Sequence, residues 1–426
     1  MHRILCFCLF LLGTSGALAS LPPLADNEAY KPILIEGEGL PMALGLPLDQ
    51  LSLAAVVDDV MEPVPFQIDQ YNAGGAPYFP DWEIPFAGTP GQFNATDKLL
   101  FIYKDAGVRR TADMPVDGTV LAEISLRDRS GQPRYVYLMH HARLRSEEQY
   151  VRYSPELGLV ETDFYSLRYQ DSNHLRWDDL QFASYVGDRP IDNMKLKVSG
   201  GVMMPQLRMD LTNENMVAEP AGAIIGPIRT TTQADFNVYF AGVHVVRFSL
   251  QIHHYPKSVM YDLRGVMPTM LRQFAANPTV SMEVDANGWV GAEVRSATAA
   301  ASQVSVVDGK VDAAEIAMQK TPLSRDQNWI WINSKRNLDV LSFMDYVGNF
   351  DEPLSLLLAD DLNVKEDVDL FAGRLPSIGY RIENLPDGGS LGMVASIYFS
   401  DRFAGDPAQI AQQLRTQPEL RVMPYH

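Results

Sequence analysis

The chain has 426 residues, 46% hydrophobic and 21% charged, with 2 cysteines and a formal net charge of −18. This is the composition of a globular body with enough length for a large core, and it argues against a disordered or fibrous chain. The acidic balance repels polyphosphates and anionic headgroups, so nucleic acid is excluded as a partner and polybasic membrane binding is disfavoured.

The chain opens "MHRILCFCLFLLGTSGALAS". Arg3 supplies a basic start, Ile4 to Leu12 an apolar core, and Ala17-Leu18-Ala19 a small-x-small cleavage pattern, so residues 1–19 read as a signal peptide. The apolar run is about half the ~20 residues a spanning helix needs, and the mature chain is expected to carry no transmembrane anchor. The expected location is the periplasm or extracellular space of a Gram-negative-type cell. Cys6 and Cys8 both fall inside this segment. A mature chain without cysteine has no disulfides, no thiol nucleophile and no thiolate metal site.

Beyond residue 20 the hydrophobic period is two, the signature of half-buried strands. The stretch Asn72 to Asp97 is rich in glycine and proline and reads as a long aromatic-bearing loop. Val120 to Leu126 and Tyr135 to Leu144 alternate on either side of a turn at Ser130-Gly131. The charged "RLRSEEQ" at Arg143 to Gln149 suggests a division into an N-terminal β-sandwich-like unit, 20–149, and a larger one, 150–426. "FNVYFAGVHVVRFSLQIHHY" predicts a hairpin about Ala241-Gly242. Asn287-Gly288 and Asp308-Gly309 predict two more turns of the same kind. "PTMLRQFAANP" has room for two helical turns, and "RNLDVLSFMDYV" fits helix or strand. "GDPAQIAQQLRTQP" is the clearest helix, with Asp406 as N-cap, Pro407 in the first turn and Ile410 and Leu414 four apart. The expected fold is all-β, with stacked antiparallel β-sandwiches, long loops and a short C-terminal helix.

Few stretches carry chemistry. In an extended strand neighbours face opposite ways. His254 therefore continues the apolar stripe of Val246, Phe248, Leu250 and Ile252, while His253 joins Arg247, Ser249 and Gln251 on a polar, solvent-facing side. The same rule separates His140 from His141, and no HxH, HxxxH or HExxH spacing supports a metal site. "YQDSNHLRWDDLQF", Tyr169 to Phe182, reads as a polar segment between strands. Trp177 could stack on a sugar ring, and His174, Arg176, Asp178 and Asp179 are the candidate catalytic groups of a lyase or hydrolase acting on an acidic polysaccharide. "YFPDWEIPF" offers Asp81, Trp82 and Glu83 as further ligand-binding candidates. No cofactor is predicted. Calcium stays open at Asn94, Asp97 and Asp105, although the spacing of a DxDxDG loop is absent. Nucleophile elbows and phosphate loops are absent too.

Three stretches, "VPFQID" from Val64, "NATDKLLFIYKDAG" from Asn94, and "RYVYLMHH" with "YVRYSP", resemble a group of exported bacterial β-sandwich proteins without assigned activity. The first two are also similar to domains found beside polysaccharide-degrading enzymes. The resemblance implies a sandwich fold. In such relatives the loop before the "LLF" strand is an Asp- and Gly-rich, calcium-like segment, whereas "AGTPGQFNATD" here has lost most of those carboxylates. These readings lead to three functions. The leading one is a non-catalytic binding or structural protein of the cell envelope, with a glycan or an envelope protein as partner. The others are a carbohydrate-active enzyme and a periplasmic metal-handling protein.

Overall fold

The longest hairpin among the described residues runs from Thr230–Phe240 into Val243–Tyr255, closed by two residues with positive φ, Ala241 at 48° and Gly242 at 78°. That is the backbone of a type I′ turn, whose twist matches the strands it joins. A second tight turn at Pro256-Lys257 adds Ser258–Met267, so three consecutive strands pair in sequence. The computed structural model describes residues 21–80, 84–128, 131–201, 208–267, 276–298, 303–346, 353–362, 375–383 and 389–425.

These strands form the middle of a nine-stranded antiparallel sheet. It continues through Gly389–Ser400, Asp339–Tyr346, Ile330–Asn333, Glu293–Ser296 and Ser305–Val306, and on the other side adds Met216–Ile225. A five-stranded sheet lies against it, in the order Arg208–Leu211, Ile191–Gly201, Ala276–Ala286, Ser377–Ile382 and Leu354–Ala359. Between the two, Met282, Val284, Ile378 and Tyr380 of one sheet meet Ile332, Val340 and Ile397 of the other. Burial of alternate residues from both inner faces is what holds such a sandwich. A four-stranded sheet, Arg152–Ser154, Leu159–Glu161, Tyr165–Gln170 and Asn173–Phe182, feeds Leu167, Trp177 and Leu180 into the same core.

Two further sheets lie in the N-terminal third: Pro32–Glu36, Lys98–Ile102 and Phe66–Asp69 in one, Thr119–Arg127, Pro133–His140, Leu51–Val57 and Val60–Val64 in the other. They share a core built on Leu40, Leu51, Leu99, Phe101, Ile124 and Leu138. Leu100 and Ile102 point the other way, into the main core. The last strand of the chain, Glu419–Pro424, pairs with Thr119–Arg127, closing contacts nearly 300 positions apart. The fold is all-β, as expected, with antiparallel pairing throughout the described strands. Among the described residues no helix is long and apolar enough to cross a membrane.

Local expectations divide instructively. The helix Pro407–Arg415 forms as read, with the Asp406 carboxylate accepting from the Ala408 N–H. The turn about Gly131 joins its two strands, but the second ends at His140 rather than Leu144. At Asn287-Gly288 the chain does turn, with Gly288 at φ 71°. It joins no hairpin there, because Ala276–Ala286 and Glu293–Ser296 belong to different sheets. Gly309 turns at φ 85°, yet the next element is a helix, Ala313–Lys320, not a strand. The "DAAE" at Asp312 to Glu315 is a reciprocal capping box, which opens a helix by satisfying its first amides. Asp339–Tyr346 is a strand, resolving the ambiguity in "RNLDVLSFMDYV". The helix expected in "PTMLRQFAANP" falls largely on 268–275, outside the described residues; its last three residues begin a strand. Residues 1–20 are likewise outside.

Gly379, on the strand Ser377–Ile382, pairs with Glu283 of Ala276–Ala286. A β-carbon built there would sit 1.9 Å from the Met282 carbonyl oxygen. Gly379→Ala must push two paired strands apart, and is expected to cost about 1–3 kcal/mol in urea unfolding with the far-ultraviolet spectrum unchanged.

Candidate functional site

The strand Val243–Tyr255 separates its two terminal histidines as alternation demands. His254 turns inward, where its Nε2 lies 3.3 Å from the Tyr169 hydroxyl. Tyr169 also stacks on His174, with ring centroids 4.9 Å apart. His253 turns to the opposite face, and its Nδ1 is 2.9 Å from the Thr231 hydroxyl. One part of the expectation fails: His253 is not on the surface but only 6% exposed. The N-terminal third of the chain covers that face. Burial holds both imidazoles neutral. It lowers His254 to about 3, aided by His174, and lowers His174 itself to about 4. Burial, then the Arg229 charge, likewise depresses His253. His140 and His141 depart from the alternation rule. Their rings lie 3.7 Å apart because His141, at φ 57°, leaves the strand conformation. Among the described residues no three histidine, cysteine or acidic side chains come together as a metal group.

What covers His253 is a buried polar seam. Arg229 and Asp69 form an ion pair with side chains 3% and 1% exposed. The Arg229 Nη1 also donates to the Tyr255 hydroxyl at 2.8 Å. Gln67 donates to the Asp69 carboxylate at 2.6 Å, while its amide oxygen accepts from the Arg229 backbone N–H at 3.0 Å. Further along the same face, Gln251 donates to the Pro77 carbonyl at 3.1 Å and Arg264 to the Gly74 carbonyl at 3.1 Å.

Where they are described, the remaining sequence candidates sit in different environments. The segment Asn173–Phe182 is a strand, not a loop. Trp177 is 4% exposed and donates its indole N–H to the Tyr261 hydroxyl at 2.9 Å, so neither of its faces is open to a sugar ring. His174 is equally buried. Arg176 is half-buried and reaches the Asn213 carbonyl at 3.5 Å. Asp178 is exposed, and Asp179 accepts from Gln181 at 2.8 Å. Asp81, Trp82 and Glu83 lie outside the described residues. The calcium candidates are engaged otherwise. Asp97 accepts from the backbone N–H groups of Tyr71 and Asn94, and Asp105 from the Tyr150 hydroxyl at 2.7 Å.

A concave site among the described residues lies elsewhere. A cleft of about 390 Å³ opens between the short helix Asp26–Ala29, the nine-stranded sheet and the helix Pro407–Arg415. Tyr30, Phe343, Tyr398 and Phe403 supply aromatic walls. Lys257 and Arg415 supply charge. The Lys257 ammonium pairs with Asp26 at 2.5 Å and sits 4.1 Å from the Phe164 ring centre. Arg415 pairs with Asp345 and lies 4.7 Å from the Phe343 ring centre. Phe403 is held from behind, since its backbone N–H donates to the buried Asp339 carboxylate at 2.9 Å. Burial pushes that carboxyl up to about 6 despite this bond and one from Trp331. The lining comes from chain positions as far apart as Asp26 and Gln417, which is why no single stretch announced it.

No family model and no curated protein matches the chain. Among solved structures it is similar to an alpha-mannosidase from Enterococcus faecalis, at 10% identity and a TM-score of 0.49, covering 94% of this chain and 45% of that one. A glycosyl hydrolase family 38 protein from Enterococcus faecalis gives 10% identity and 0.46, covering 94% and 46%. A Synechocystis protein gives 9% identity and 0.34, covering 62% of this chain and all of that one. The chain thus spans a little under half the length of the first two. Likeness at this level assigns it no activity.

Two measurements check the site's electrostatics. Arg229→Met leaves the Asp69 carboxylate buried without its counter-charge and is expected to cost about 3–5 kcal/mol in urea unfolding, most of it recovered in the double variant Arg229→Met/Asp69→Leu. Unfolded histidine titrates near 6.5, well above the folded values of His174 and His254. As pH falls below 6.5 the unfolded chain therefore takes up protons first, and these two residues withdraw stability down to about 3–4. The loss of Tm between about pH 7 and about pH 4.5 should be smaller in His254→Gln than in the parent chain.

Proposed function

We propose that the chain is a non-catalytic binding protein of the cell envelope, holding a small molecule in the cleft between the helix Asp26–Ala29, the nine-stranded sheet and the helix Pro407–Arg415. The observation that carries this reading is the cleft itself: aromatic walls on packed strands, about 390 Å³ of space, and charged groups already in ion pairs. Sites of this size and character bind small molecules through apolar contact, with a few polar groups fixing orientation. The dispersal of His174, Arg176, Asp178 and Asp179 argues in the same direction, because acid–base catalysis needs such groups within hydrogen-bonding reach of one reacting atom. Export to the periplasm is inferred from the apolar opening segment and the cysteine-free remainder.

The purified chain is expected to bind the neutral dye phenylnaphthylamine saturably, one per molecule, with a fluorescence increase. Val394→Trp, which fills the mouth of the cleft from a half-buried position, should abolish that signal without lowering Tm. Failure of the parent chain to bind both this dye and a charged dye of the same ring system, or turnover of any glycan by it, would refute the reading.

A further inference from the structure

The cleft inverts the electrostatics of the molecule that carries it. The chain has a net charge of −18, yet the lining brings Lys31, Lys257 and Arg415 together with only Asp26 and Asp345. Lys31 donates to the Thr416 carbonyl at 2.8 Å and to the Gln413 carbonyl, tying the strand Pro32–Glu36 to the end of the helix Pro407–Arg415. The other two cations share a different arrangement. Each lies deeper than its carboxylate: the Lys257 side chain is 9% exposed against 56% for Asp26, and Arg415 is 21% against 46% for Asp345.

This asymmetry constrains what can enter. A buried ammonium left without a counter-charge is expensive, because desolvation is no longer offset by a nearby anion. The Asp26 carboxylate is mostly in water and gives up little by returning to it. It sits in a four-residue helix whose N-cap makes no side-chain bond. Asp26 is thus the replaceable member of the pair. An occupant that displaces it must bring its own negative charge to Lys257, while an uncharged occupant must leave it in place and use only the apolar part of the cleft. The half-buried Tyr30 offers ring surface beside that cation, its ring centre 5.1 Å from the ammonium, and Phe343 and Tyr398, stacked at 5.3 Å, line the same cleft.

Resting on the reading of the cleft as a binding site, we propose that its ligand is an anionic, ring-bearing small molecule whose acid group replaces Asp26 on Lys257. Asp26 then acts as a built-in competitor that holds Lys257 neutralised while the cleft is empty.

The test compares two dyes with the same ring system, anilinonaphthalene sulfonate and the neutral phenylnaphthylamine, titrated into the full chain. The sulfonate should bind about tenfold more tightly, the scale of one charge-assisted hydrogen bond. Asp26→Asn removes the competitor at an exposed position and should raise the sulfonate-to-neutral affinity ratio about threefold to fivefold, within the range of partly exposed ion pairs. Lys257→Met should bring the ratio close to one. Equal affinities in the parent chain, or a ratio that Asp26→Asn leaves unchanged, would overturn the anionic ligand while sparing the binding cleft. Absence of binding by either dye would remove the cleft as a site, and this proposal with it.

Discussion

The pair of Arg229 and Asp69 joins the N-terminal third of the chain to the nine-stranded sheet, and most of what surrounds it depends on that junction. A buried ion pair adds little net stability, because taking two charges out of water costs about what their attraction returns. What it imposes is position. Asp69 cannot slide along the sheet without leaving Arg229 unpaired, and Gln67 reads both the Asp69 carboxylate and the Arg229 backbone. The strand Phe66–Asp69 is thereby held in one place over the outer face of Thr230–Phe240 and Val243–Tyr255. His253 is buried as a consequence, and this stretch of the sheet is covered on both sides.

The cleft inherits its rigidity from the same organisation. Its sheet wall consists of strands whose other neighbours are fixed by long-range pairing, and its helix wall is anchored at both ends. Asp406 caps the start of the helix Pro407–Arg415, and Lys31 takes carbonyls at its end. Asp339 fixes Phe403 through a backbone hydrogen bond. The helix Asp26–Ala29 is the short wall, joined to the helix Pro407–Arg415 by the bond from Asn27 to Gln413, and that is where the carboxylate of the proposed exchange sits. A cleft with a fixed sheet wall and a fixed helix wall suits the capture proposed for it, because its shape is set before a ligand arrives.

Much of the secondary structure was legible from local signals. Ala241-Gly242 turned as read because a two-residue hairpin loop needs positive φ at both positions, which Gly242 takes freely and Ala241 takes at a cost that the long flanking strands offset. The helix at Pro407 was legible from its cap and its spacing. The capping box at Asp312 was equally explicit but lay behind an Asp-Gly pair that resembles a hairpin turn, so a helix was read as a strand. The candidate site was legible hardly at all. Trp177 and His174 looked like ligand-binding groups because they stand among polar neighbours. Yet both are turned into the core, where His174 stacks on Tyr169 and Trp177 bonds to Tyr261.

By itself, the sequence determined the all-β class, the positions of the principal turns, the C-terminal helix and the opposite orientation of His253 and His254. All of these arise from interactions among residues close along the chain, where backbone geometry leaves few choices. The tertiary structure decided which faces are covered, which polar groups are buried and where the concave surface lies. Alternation assigns a residue to a side of a strand, but whether that side meets water or another sheet depends on segments more than 150 positions away, as Asp69 and Arg229 show. The cleft, drawn from both ends of the chain, exists only once those segments have met.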